Sequence, residues 1–178
     1  MSTNLVISNG GFLEKTPTLI VTCRGTSIDH CIHEIGNVLY PKDPNVKINN
    51  TMFKGVLFVY TVLPPDRAYG ITAHREYGFV ENIIPIYCTL TYPLEERDIA
   101  ECLSRLPLPS RIKLRVRVRG LRGVSEKIFN LAMATLKSMN IEHDTRAKTC
   151  LYFEGFYNVV YVGVGDCQSV FKAYVKSR

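Results

Sequence analysis

Apolar and polar residues run through the chain in two rhythms, period two for strands and period 3.6 for helices. Residues 17–23 (TLIVTCR) are a continuous apolar run and predict a buried strand. Thr26 and Ser27 offer an N-cap. Ile28, Cys31, Ile32, Ile35 and Leu39 follow at helical spacing, and Tyr40-Pro41 ends the helix because the residue before proline avoids the helical region. Residues 42–51 (KDPNVKINNT) read as loop and residues 54–62 as a strong strand. Pro64, Pro65 and Asp66 suit a helix start, with the helix reaching about Gly78. Residues 79–91 (FVENIIPIYCTLT) predict a third strand, with Pro85 pointing to an edge or a bulge.

The second half opens with residues 93–106 (PLEERDIAECLSRL), a helix with acids in its first turn and Arg105 in its last. Residues 111–119 (RIKLRVRVR) alternate with near-perfect period two and predict a strand. Gly120 to Gly123 form a turn, and Ser125 can cap a helix carrying Ile128, Leu131, Ala132, Thr135, Leu136 and Met139 on one face. Residues 149–154 and 158–164 predict two strands. The short link Gly155-Phe156-Tyr157 forces them into an antiparallel hairpin. The expected class is α+β: a βαβαβ module over 1–92, then an α/β module with a C-terminal hairpin over 93–178.

The strand at 111–119 carries the candidate chemistry. Arg111, Lys113, Arg115, Arg117 and Arg119 share one face, and Ile112, Leu114, Val116 and Val118 share the other. Neighbouring cations on that face stand roughly 6.5–7 Å apart, close to the phosphate spacing of a nucleic-acid strand. Arg105 and Arg122 flank the row, and no acid occurs between Glu101 and Glu126. Edge protection needs one or two charges rather than five that repel one another, so a polyanion-binding face is expected; acids from another segment are the alternative. Gly120, Gly123 and the following helix start add a candidate anion site. The G-x-x-G pattern here follows a strand rather than a helix, which argues against a KH domain.

Charge distribution sharpens the picture. The 178 residues hold 22 Lys plus Arg and 16 Asp plus Glu. Residues 1–91 hold seven basic and seven acidic side chains, and residues 92–178 hold fifteen and nine, so the whole +6 lies in the second half. No apolar run reaches membrane-spanning length, and the N-terminus has neither a basic region nor a long apolar core, so no membrane partner or signal peptide is expected. The six cysteines lack C-x-x-C spacing, and buried free thiols are the default; disulfides become plausible if the source is a hyperthermophile. His30, His33, Asp29 and Glu34 surround Cys31, but Cys31 belongs to the apolar face, so no metal site is expected. His74 and His143 are isolated. No nucleotide-binding or hydrolase motif is present, and neither a catalytic residue nor a cofactor is expected. Tyr152, Phe153, Phe156, Tyr157 and Tyr161 cluster in the hairpin, as core residues or as a base-stacking surface.

The second half resembles a THUMP domain, in RIKLRVRVRG, VSEKIFNLAMATLKSMN, IEHDTRAKTCLYFEG and NVVYVGV. The first half, from TLIVTCRGTSIDHCIHEIGNVLY through GVLFVYTV to ENIIPIYCTLT, resembles the ferredoxin-like domain that precedes THUMP in tRNA-modifying proteins. The nearest form resembles the stand-alone THUMP adaptors of tRNA cytidine acetylation, including the tail DCQSVFKAYVKSR. Asp144 is followed by Thr145 and Arg146 where the family often has Asn-Pro.

The resemblance implies a cytoplasmic, non-catalytic protein that presents folded tRNA, by its acceptor end, to a separate modification enzyme such as a cytidine acetyltransferase. Arg111, Lys113, Arg115, Arg117, Arg119, Arg122, Lys127, Arg146 and Lys148 are the expected RNA contacts. The alternative is a basic protein–protein scaffold that binds an acidic partner without specific RNA recognition.

Overall fold

The computed structural model describes residues 5–7 and 13–173. Its first strands, β1 (Leu5–Ile7) and β2 (Leu13–Lys15), pair antiparallel. The chain then builds two compact units. One comprises the chain up to Pro85 together with the segment from Gln168; the other is Ile86–Cys167.

In the first unit the order is β3 (Leu19–Cys23), α1 (Ile28–Leu39), β4 (Lys47–Asn50), β5 (Val56–Tyr60), α2 (Pro65–Thr72), β6 (Glu76–Tyr77) and β7 (Val80–Pro85). The sheet runs β4-β5-β3-β7, antiparallel throughout. This is the split-βαβ connectivity of ferredoxin-like modules. Leu19, Val21, Ile35, Leu39, Leu57, Val59 and Ile83 fill its core.

Three local expectations change here. Residues 47–50, expected as loop, form edge strand β4: Ile48 packs on the core while Lys47, Asn49 and Asn50 are exposed, so the apolar signal is one residue long. Helix α2 stops at Thr72 rather than near Gly78, and His74 then turns the chain with a left-handed φ of 58°. Glu34 holds the segment beyond: its carboxylate accepts N–H groups from Gly78 (2.7 Å), Phe79 (2.9 Å) and Val80 (3.0 Å). The single strand expected over 79–91 is two strands in two units, β7 and β8 (Cys88–Thr91). Pro85 closes β7, which lies at the sheet edge, where a missing N–H does least harm.

The second unit continues from β8 with α3 (Glu96–Leu103), β9 (Arg111–Arg119), α4 (Val124–Ser138), β10 (Glu142–His143), β11 (Thr149–Phe156) and β12 (Val159–Asp166). Its sheet order is β10-β9-β11-β12-β8, with β9 parallel to both β10 and β11 and the other pairs antiparallel. Ile99, Leu103, Ile112, Leu114, Ile128, Ala132, Leu136, Leu151, Phe153, Val160 and Val162 form its core. The hairpin is tighter than expected. Strand β11 runs on through Gly155 to Phe156, leaving Tyr157 and Asn158 as the turn. A Cβ at Gly155 would lie 2.7 Å from Val118 Cγ2, so the glycine lets β11 and β9 close together.

After β12 the chain returns to the first unit. His74 N–H donates to Ser169 O (2.7 Å), Ile83 N–H donates to Ser169 Oγ (2.8 Å), Val170 joins the first core, and β13 (Phe171–Lys172) pairs parallel with β6. The break therefore falls at Pro85 and again at Cys167, not once at residue 92.

The cysteines also depart from expectation. Cys23–Cys31, Cys88–Cys102 and Cys150–Cys167 are disulfides, and no cysteine is free. The default of free thiols assumed a reducing compartment, and spacing along the chain does not report that the fold brings each pair of Cα atoms to 5.0–6.0 Å. Among the described residues no helix is long and apolar enough to cross a membrane.

Candidate nucleic-acid interface

Strand β9 forms where alternation predicts, at Arg111–Arg119. Ile112 and Leu114 are buried in the core with α3 and α4, and Val116 and Val118 pack against it. The pleat therefore turns Arg111, Lys113, Arg115, Arg117 and Arg119 to the face away from those helices. In register beside them on β11 stand Cys150 opposite Lys113, Tyr152 opposite Arg115, Glu154 opposite Arg117 and Phe156 opposite Arg119.

The five cations are not equivalent. Arg111 pairs with Glu142 (3.1 Å) and stands 3.9 Å from Asp144. Arg119 pairs with Glu154 at 2.6 Å, the two side chains being 10% and 9% exposed, and its guanidinium lies 5.0 Å above the Phe156 ring. The ends of the row are thus neutralised from other segments, a departure from a uniformly unpaired row. Arg119 in particular is part of the interior. Lys113, Arg115 and Arg117 form no ion pair with a described residue. Arg115 stands 5.9 Å over the Tyr152 ring and donates to Cys167 O at 3.5 Å. Burial pushes the Glu154 carboxyl up, and Arg119, Arg117 and Arg115 pull against that shift.

The outer edge of β9 is closed by side chains. Strand β10 pairs only with Arg111 and Ile112. Beyond it, Leu114 N–H donates to His143 Nδ1 (3.0 Å) and Val118 N–H donates to Ser125 Oγ (2.9 Å). Ser125 therefore ties α4 to β9 instead of capping the helix. The N-cap position is Gly123, with φ 73° and no side-chain cap. His143, expected to stand isolated, is an acceptor in the sheet and meets Phe129 edge-on.

The remaining predicted contacts fall around this face. Arg122 is exposed in the turn after β9, and Arg146 and Lys148 are exposed in the link that leads into β11, near the start of the row. Lys127 is exposed on α4, which packs on the apolar side of the sheet, so the fold does not bring it onto the cation face. Sequence reasoning missed Glu154 and Tyr152 as partners of the arginines. Glu154 is the only acid between Asp144 and Asp166, which is a usable signal. Of the hairpin aromatics, Tyr152, Phe153, Phe156 and Tyr161 are buried and Tyr157 is exposed.

The histidine-rich start of α1 has other uses. His30 stacks on Phe79 with ring centroids 4.7 Å apart, Cys31 is in a disulfide, and Glu34 holds the amides of Gly78, Phe79 and Val80. Among the described residues no three His, Cys, Asp or Glu side chains converge as metal ligands.

No protein-family model and no curated protein matches the chain. Solved structures do. TrmN from Thermus thermophilus is 16% identical with a TM-score of 0.54, covering 82% of this chain and 44% of that one. PH1313 from Pyrococcus horikoshii is 14% identical with a TM-score of 0.57, covering 87% and 56%. A 4-thiouridine synthetase solved with RNA and ATP is 12% identical with a TM-score of 0.53, covering 89% and 43%. The chain spans about half the length of the chains it matches. The expectation of a non-enzymatic chain is corrected by these matches. The same fold is part of a synthetase, so the lack of a catalytic motif in these residues does not set the chain apart from enzymes. The likeness is one of fold, and that fold is α+β and THUMP-like.

Proposed function

We propose that the chain is an RNA-binding component of tRNA modification, holding folded tRNA by its phosphate backbone on the open face of β9. The observation that carries this is the run Lys113, Arg115 and Arg117, three consecutive same-face cations that form no ion pair with a described residue. Arg122, Arg146 and Lys148 extend the patch at its two ends. The planar guanidinium fork suits bidentate phosphate contact, and a backbone-reading surface recognises shape rather than sequence. The fold likeness to a synthetase bound to RNA supports the choice of RNA as the polyanion. The sequence resemblance suggests the finer setting, contact with the tRNA acceptor end beside a cytidine acetyltransferase in the cytoplasm. A cytoplasmic protein with three disulfides would be of the hyperthermophile kind.

The test is the salt dependence of tRNA binding. Replacing Arg115 and Arg117 together with Ala should lower the slope of log K against log salt by about 1.4–1.8, since each phosphate contact contributes roughly 0.7–0.9. A slope identical to that of the unaltered chain removes the β9 face from the site.

A further inference from the structure

Tyr157 stands out from the other aromatics of the hairpin. It is 43% exposed, while Tyr152, Phe153, Phe156 and Tyr161 are buried. Its backbone is left-handed, with φ 55°, a conformation uncommon for a bulky side chain. Two-residue hairpin turns ordinarily place Asn, Asp or Gly in such positions. Its N–H donates to Arg119 O at 2.7 Å, which anchors it to the last residue of the cation strand.

Gly120 seats the ring. Its φ is 90°, and a Cβ there would lie 2.6 Å from Tyr157 Cδ1 and 2.7 Å from Cε1. The ring therefore lies against bare backbone, at the end of the strand that carries Lys113, Arg115 and Arg117 and next to the turn that carries Arg122. Two backbone positions with positive φ hold one exposed aromatic at the end of the strand that bears the cations. Single-stranded nucleic-acid sites combine these two elements: cations track the phosphates, and an aromatic ring takes the face of an unstacked base.

We propose that Tyr157, seated on Gly120, is a stacking platform for one unpaired base of the RNA whose backbone lies along β9. This rests on the RNA-binding reading of that face and adds a requirement for an unstacked nucleotide at its Gly120 end. Stacking is blind to base identity, because every base offers a π-face, so the platform selects unpaired over paired RNA rather than one sequence over another.

The chain contains no tryptophan, so Tyr157→Trp introduces a single indole at the platform. The probes are a ten-nucleotide oligouridylate and a blunt RNA duplex with the same number of phosphates. Tyr157→Asn, a residue at ease with positive φ, should weaken oligouridylate binding by about 5- to 150-fold, the range of one lost stacking contact. It should leave duplex binding and the salt slope unchanged, and Tyr157→Phe should retain full affinity. The indole of Tyr157→Trp should be quenched by oligouridylate and not by the duplex. Unaltered oligouridylate affinity in Tyr157→Asn, or equal quenching by both probes, overturns the proposal. If the arginine variants lose binding while Tyr157→Asn keeps it, the platform falls and the RNA-binding reading stands. If the unaltered chain binds neither probe nor tRNA, both fall.

Discussion

The guanidinium of Arg119 crosses diagonally to the carboxylate of Glu154, 2.6 Å away, although the β9–β11 register places Glu154 opposite Arg117. Both partners are about nine-tenths buried, and removing one leaves an uncompensated charge inside the fold. Glu154→Leu should destabilise the chain by about 3–5 kcal/mol, because a guanidinium cannot shed its proton. Arg119→Met should cost less, since burial already pushes the Glu154 carboxyl up and it can neutralise itself. The double variant should recover most of the loss. Urea denaturation of the three variants checks this order; equal losses in both single variants would show that Glu154 does not neutralise itself when Arg119 is removed.

That pair also marks what the sequence could and could not convey. Strand β9 was legible to the residue, because RIKLRVRVR has only one way to bury its aliphatic side chains. The helix faces of α1 and α4 followed from apolar spacing for the same reason. Strand β4 was not legible, since an edge strand with Ile48 as its one inward residue reads as loop. The break at Pro85 was hidden inside a continuous apolar run, because β7 and β8 are both apolar and only the third dimension assigns them to different sheets. Within the site, spacing placed all five cations on one face but could not show that Glu142, Asp144 and Glu154 arrive from other segments to take up Arg111 and Arg119.

The three disulfides make a chemical prediction. In denaturant without reductant no thiol should react, and after reduction six should. The bridges span 8, 14 and 17 residues, for which loop-closure entropy gives roughly 2.5–3 kcal/mol each. Full reduction should therefore lower the melting temperature by many degrees, with less than additive losses for single Cys-pair removals. An unchanged melting temperature after verified reduction would show that the bridges form without stabilising the fold.

Asp43 gives the acid side of the stability profile. It is buried and accepts from Thr61 Oγ1–H (2.6 Å), Asn45 N–H (3.0 Å) and Val62 N–H (3.1 Å). The Thr61 bond first, then Val62 N–H, hold its carboxyl below the ordinary 3.8 despite the opposing effect of burial. The folded state thus binds this proton less readily than the unfolded chain. The stabilisation is fully present above about pH 3.8 and is lost as pH falls through the lowered value. Asp43→Asn should flatten the fall of melting temperature between pH 4 and 2. Parallel acid limbs in the two proteins would assign the loss to other carboxylates.

The return of the chain at Ser169 and Val170 has a consequence for biosynthesis. The first unit is discontinuous, and the whole of Ile86–Cys167 is spliced into it between β7 and β13. On a ribosome that emits the chain from its N-terminus, the first sheet is complete long before the residues that bond Ile83 and pair with β6 exist. The spliced unit, contiguous in sequence, has all its strands in hand before β13 emerges. The segment from Gln168 is then a clasp that closes the first unit only after the whole of the spliced unit has emerged.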